Sequence, residues 1–152
     1  MSFLPDPLHP AFVHFPIALV AVSLLFDVLS RHPRARALEA AGGVLMGLAA
    51  LGGIAATLTG QLAEEEAAVP RAARALLKRH EELGELLMWV LIAVALVRLA
   101  LAWRGAFKGL LAWAYLAIAA AAFALVSYQG ALGGELVYRH GVGTAPVQRE
   151  AR

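Results

Sequence analysis

Pro7–Phe26, PLHPAFVHFPIALVAVSLLF, contains no Asp, Glu, Lys or Arg. A helix needs about 20 largely apolar residues to cross the roughly 30 Å hydrocarbon core of a bilayer, and this stretch has that length. Three further stretches repeat the pattern. Ala40–Ala63 and Gly109–Gly134 are free of those charges over still longer runs, while Leu86–Trp103 is slightly shorter and carries only Arg98. The spacing predicts helices near residues 11–30, 40–61, 83–103 and 109–129. Their short connections make sequence neighbours antiparallel. The expected fold is therefore all-α: an integral membrane four-helix bundle of up-down topology, one domain over residues 1–152 with a C-terminal tail over 130–152.

Composition agrees with that reading. Of 152 residues, 61% are hydrophobic and 16% charged, with a mean hydropathy of +0.70, whereas soluble domains hold about 45–50% apolar and about 25% charged residues. The absence of cysteine excludes a disulfide-built secreted scaffold. A net charge of +2, scattered along the chain, offers nucleic acid no basic stripe. The leader Met1–Leu8 contains Asp6 and no base, unlike a cleaved signal peptide, so the first span is expected to stay in the mature protein.

Arg31, Arg34 and Arg36 follow the first span, and Arg104 and Lys108 lie between the third and fourth. The excess of bases on cytoplasmic loops then puts both termini outside. Arg71, Arg74, Lys78 and Arg79 in the 2–3 connection count against this, but they are mixed with Glu64, Glu65, Glu66, Glu81 and Glu82. Pro70 fits the first position of a helix, and Leu76, Leu77, His80, Leu83, Gly84 and Leu87 recur at helical spacing. The third helix is therefore expected to begin near Pro70, as an amphipathic helical segment over about 70–82 with its charged face at headgroup level.

This topology gathers the starts of helices 1 and 3 and the ends of helices 2 and 4 on one side. That side holds His9, His14, Thr59, Gly60, Gln61, His80, Tyr128, Gln129, Gly133, Gly134, Tyr138 and His140. His32, in the opposite loop, reads as an exposed bystander. His14 within a span and His80 on an apolar stripe are costly unless they line a cavity or meet a partner. His9 and His14 stand roughly 140° apart on a helix, so they cannot clamp one ion together. The expectation is that His14 points into the bundle towards His80, that His9 folds over the rim, and that His140 returns over the mouth on its glycine-rich tail.

Neutral imidazoles from facing helices suit axial ligation of a haem iron, as in b-type cytochromes. His14 and His80 are the preferred pair, with His9 and His140 in support or in a second site. Gly42, Gly43, Gly47, Gly52, Gly53 and Ala117–Ala122 offer room for a macrocycle, Phe12 and Phe15 could flank it, and Arg79, Arg139 or Tyr138 could meet its propionates. Gly43-x-x-x-Gly47 reads equally as a helix-packing motif. The alternative is a non-haem ion: His9, His14, His80 and His140 suit Cu, Zn or Fe, with a carboxylate from Glu81, Glu85 or Glu135. A proton relay, a quinone-contacting site, or a structural or assembly subunit, including a homo-oligomer, are the remaining readings. Asp27 and Arg98 lie at similar depth near the other end of helices 1 and 3. They read as an ion pair or, for Arg98, as a side chain snorkelling to the interface.

Leu8-His9-Pro10-Ala11-Phe12-Val13-His14-Phe15-Pro16-Ile17-Ala18-Leu19 resembles the opening signature of the bacterial membrane family known as domain of unknown function 2231. Gly134-Glu135-Leu136-Val137-Tyr138-Arg139-His140-Gly141-Val142-Gly143 resembles its closing signature, and His80-Glu81-Glu82-Leu83-Gly84 is similar to its third-helix start. The resemblance covers nearly the whole chain. It implies a small four-span protein of the bacterial inner membrane whose histidine positions correspond to His9, His14, His80 and His140. Cytochrome c-like or Rieske-type modules beside some members imply membrane redox work, with such a module as partner.

Overall fold

A computed structural model of the chain describes residues 8–66 and 69–144. Among the described residues five α-helices follow one another: α1 (His9–Phe12), α2 (His14–Leu29), α3 (Leu38–Glu66), α4 (Arg74–Trp103) and α5 (Gly109–His140). One 3-10 turn at Pro33–Ala35 links α2 to α3, and another at Arg71–Ala73 leads into α4. No strand occurs among the described residues. Among the described residues four helical units, His9–Leu29, Leu38–Glu64, Arg71–Trp103 and Gly109–His140, are long and apolar enough to span a membrane. Large apolar side chains cover the outside of the bundle, with Leu99 65% and Trp103 87% exposed. An exterior of that kind belongs in lipid.

Local chemistry sets the element ends. Pro16 has no N–H for the carbonyl of Phe12, and the first span breaks at Val13 into a short turn and a longer helix. Between α4 and α5, Gly105 takes φ +59°, a left-handed conformation that lets the chain reverse within a few residues. The last helix ends at Gly141, φ +66°, whose N–H bonds to Val137 O while Val142 N–H reaches Leu136 O, a glycine C-terminal cap.

The third helical unit begins just after Pro70, as expected, with the amphipathic segment and the third span continuous from Arg71 to Trp103. One expected boundary changes. The tail expected from residue 130 is helical as far as His140. Leu132 and Leu136, one turn apart, are buried and extend the core-facing stripe of α5, and Glu135 pairs with Arg139 at 3.0 Å one turn on. Gly133 and Gly134 do not break the helix.

Helix α2 packs along α3, α3 along α4, α4 along α5, and α5 back along α2. The bundle closes as a ring, with α2 and α4 across its diagonal. Each helix buries one stripe: Pro16, Val20, Ser23 and Asp27 on α2, Leu87, Leu91, Val94 and Arg98 on α4. Ala112, Ala119 and Ala122 on α5 are buried too, and such small side chains let the helices approach closely. Gly53 contributes in the same way, since a Cβ there would stand 3.1 Å from Leu91 Cδ1. Gly47, by contrast, has nothing within 4 Å of a would-be Cβ, so the Gly43-x-x-x-Gly47 spacing is not a close contact within the bundle.

These two kinds of glycine separate in an experiment. At Gly42 a Cβ would collide with the Asp27 carboxylate, and overpacking of this kind costs about 1–3 kcal/mol. At Gly47 alanine meets open space and gains up to about 1 kcal/mol of helix propensity. Gly42→Ala is expected to lower the thermal midpoint in detergent by several degrees, while Gly47→Ala leaves it unchanged or raises it. Equal midpoints for the two would show that Asp27 has room to move.

Candidate functional site

Two of the predicted histidines meet. His9 on α1 and His80 on α4 face each other with ring centroids 6.3 Å apart and planes at 87°. Both are half-buried. His9 lies over α3 with Nδ1 2.9 Å from Ala56 O and 3.4 Å from Thr59 Oγ1. A bond to a carbonyl requires the proton on Nδ1, so Nε2 keeps the lone pair. This is the orientation by which a backbone acceptor fixes a metal-binding imidazole.

Glycines seat both rings. A Cβ at Gly60 would stand 3.0 Å from His9 Cε1, and one at Gly133 would stand 3.2 Å from His80 Cε1. Gln129 on α5 donates from Nε2 to His80 O at 2.8 Å and lies 3.4 Å from His80 Nε2. Gly84 leaves space for that amide, since a Cβ there would be 3.0 Å from Gln129 Nε2. His80 Nδ1 and Gln129 Oε1 are buried without a hydrogen-bond partner. Buried polar atoms in that state are uncommon and call for an occupant such as a water or ligand.

The other predicted residues stand apart. His14 is exposed, its Nδ1 2.7 Å from Pro10 O one turn back, and it does not point into the bundle. The reason is rotational: His9 is seven residues before buried Pro16 and shares its stripe, whereas His14 falls off it. His80 therefore faces His9 and not His14. His140 is half-buried, seven residues beyond Gly133 on the same continuous helix, about 10 Å farther along. Because α5 continues, His140 does not return over the mouth. Tyr138 is 90% exposed and Arg139 is held by Glu135. Phe12 and Phe15 stack on each other at 6.3 Å, with Phe15 exposed. Among the described residues no three His, Cys, Asp or Glu side chains group as a metal site, so the four-histidine constellation and its carboxylates do not assemble.

The family described as predicted membrane protein (DUF2231) matches residues 5–146. The chain belongs to the DUF2231 family. No match was found among curated proteins or among solved structures.

A second cross-bundle pair lies at the opposite end of this DUF2231 bundle. Arg98 donates from Nε to Asp27 Oδ2 at 3.0 Å and from Nη2 to Asp27 Oδ1 at 2.8 Å, with the side chains 1% and 0% exposed. The ion-pair reading of Asp27 and Arg98 holds, and the snorkelling alternative does not. Arg98 Nη2 also reaches Glu39 O at 2.6 Å, and its guanidinium sits 3.7 Å from the Phe107 ring centre. Arg31 covers the other side of this cluster. It donates to Phe107 O, Ser30 Oγ and Glu39 Oε2, each at 2.9 Å, with its guanidinium 4.4 Å from the Phe107 ring centre. Sequence reasoning did not find Phe107, Arg31 or Glu39 as members. A lone aromatic in the short basic 3–4 loop was the available signal.

The two pairs share one geometry. The interval from His9 to Asp27 equals the interval from His80 to Arg98. On an α-helix each is a whole number of turns, about five, and so about 27 Å long. Each pair therefore crosses between the first and third spans from the same stripe, and the pairs are separated by nearly the thickness of a hydrocarbon core.

Proposed function

We propose that this DUF2231 protein is a membrane redox protein that holds b-type haem between His9 and His80, at the extracytoplasmic mouth of its bundle. The observation that carries the proposal is the His9–His80 spacing of 6.3 Å. At about 2.0 Å per metal–nitrogen bond, imidazoles on opposite sides of one ion have ring centres about 6 Å apart. The Nδ1–H bond of His9 and the glycine seats under both rings support the same reading. Ligand number supports it further. One or two protein ligands would hold a haem, whereas a bare Zn ion takes three or four, and among the described residues two histidines converge here.

Bound haem supplies a one-electron iron couple. The chain's own part is to orient His9 through Ala56 O and Thr59, to hold the His80 turn through Gln129, and to keep both rings fixed on Gly60 and Gly133. Electrons would pass to or from a cytochrome c-like or Rieske-type module or a membrane quinone. The setting is the bacterial inner membrane, both termini outside, with the bases of the 1–2 and 3–4 loops in the cytoplasm.

The visible spectrum tests this directly. Protein expressed with ample haem and purified in detergent should show a Soret band, with sharp reduced α and β bands and about one haem per chain by pyridine haemochrome. A colourless protein holding near-stoichiometric Cu, Zn or Fe would replace haem by a bare ion. A colourless, metal-free protein would leave a structural or assembly role.

A further inference from the structure

Charge is unevenly divided between the two ends of the bundle. The Asp27–Arg98 end holds six bases, Arg31, Arg34, Arg36, Arg98, Arg104 and Lys108, against two acids, Asp27 and Glu39. Both acids are taken, since Arg98 holds Asp27 at 2.8 Å and Arg31 holds Glu39 at 2.9 Å. Arg34, Arg36, Arg104 and Lys108 are exposed, and among the described residues none of them pairs with an acid. At the histidine end the described residues hold seven acids against five bases. The uncompensated positive charge is therefore confined to one end.

The two loops that carry these bases are joined. Arg31 reaches from the first loop to donate to Phe107 O at 2.9 Å, and its guanidinium lies 4.4 Å from the Phe107 ring centre. Phe107 is buried and immediately precedes Lys108, so the α4–α5 turn is anchored and its bases stand on a fixed support. Large apolar side chains border the turn on both sides. Trp103 directly precedes Arg104, and Leu110, 84% exposed, follows Lys108 by two residues. Tryptophan next to basic residues at a helix end marks the level of the lipid headgroups.

We propose that the α4–α5 turn binds an anionic phospholipid, with Arg104 and Lys108 taking the phosphate and Trp103 and Leu110 meeting the acyl chains. The inference goes beyond the redox reading and does not depend on it. Charge selects the headgroup: basic clusters beside a membrane span attract anionic lipid, whereas a zwitterionic headgroup brings a cation of its own. Arg34 and Arg36 add to the same field from the neighbouring loop. The apolar border selects a lipid over a soluble anion. Inorganic phosphate would answer the bases and leave Trp103 and Leu110 uncovered, while a phospholipid answers both.

Trp103 reports on this contact. The full chain carrying Trp89→Phe and Trp113→Phe keeps it as the sole tryptophan, and is reconstituted in phosphatidylcholine nanodiscs with a small, fixed fraction of lipid brominated on its acyl chains. Brominated phosphatidylglycerol is expected to quench Trp103 with about fivefold greater affinity than brominated phosphatidylcholine. Arg104→Gln with Lys108→Gln should remove most of that preference, and Arg71→Gln with Arg74→Gln, at the other end of the bundle, should leave it intact. All of these substituted side chains are exposed, and helical circular dichroism confirms that each variant is folded. Equal quenching by the two lipids overturns the proposal, as does a preference that survives the Arg104/Lys108 change or falls equally with the Arg71/Arg74 change. Loss of the preference on adding millimolar inorganic phosphate also overturns it, because the turn would then be a site for a free anion.

Discussion

Arg98→Met is expected to destabilise the protein by about 3–5 kcal/mol, the loss seen when one member of a buried ion pair is removed. The Asp27 carboxylate is 0% exposed, and without Arg98 it keeps the cost of leaving water and loses its bidentate partner. Glu39 O and the Phe107 ring lose the same guanidinium, so the damage reaches α3 and the loop before α5. Asp27→Leu leaves Arg98 stranded and is expected to be about as costly. The double variant Asp27→Leu/Arg98→Met should be less damaging than either single change, because nothing charged then remains in the core. Reversible unfolding in mixed detergent micelles, arranged as a double-mutant cycle, measures all three. Single variants within about 0.5 kcal/mol of the parent, the usual range for surface sites, would mean that the pair is solvated.

The second large effect concerns haem. His9→Ala and His80→Ala are each expected to remove the low-spin bis-histidine spectrum, lowering bound haem at least tenfold. His14→Ala and His140→Ala should keep it. The contrast within the opening motif is the informative part. His9 faces His80 across the bundle, while His14 is exposed and bonded to its own preceding turn. Thermal unfolding of the same variants separates loss of a ligand from loss of the fold. Loss of haem in His14→Ala with retention in His9→Ala would reverse the ligand assignment.

The pattern that places His9 was present in the sequence. Positions 9, 16 and 23 recur every seven residues, with 20 and 27 beside them, and the structure buries Pro16, Val20, Ser23 and Asp27 along that stripe. Ser23 and Asp27 are the polar members of an apolar span, so they mark the inward face, and extending it back two heptads reaches His9. The expectation for His14 used depth in the membrane where rotation about the helix axis decides. His80 was legible because its stripe through Leu87 is apolar and continuous. His140 was misplaced because glycines at 133 and 134 read as a tail. They remain helical because Leu132 and Leu136 bury on either side, and Gly133 is where the His80 ring needs room.

By itself the sequence determined that this chain crosses the membrane four times, which polar residues share an end of the bundle, and which family it resembles. Hydrophobic length and short connections are local properties, and they suffice for that. Only the tertiary structure decided which polar residues touch. Helices α2 and α4 are diagonal in the bundle, and contact across a diagonal depends on what the intervening helices leave empty. Glycines at 42 and 43 make room for Asp27 and Arg98, and glycines at 60 and 133 make room for His9 and His80. Each pair joins helices that lie far apart in the chain. Its formation is set by how three or four helices pack together, and no window of sequence contains that information.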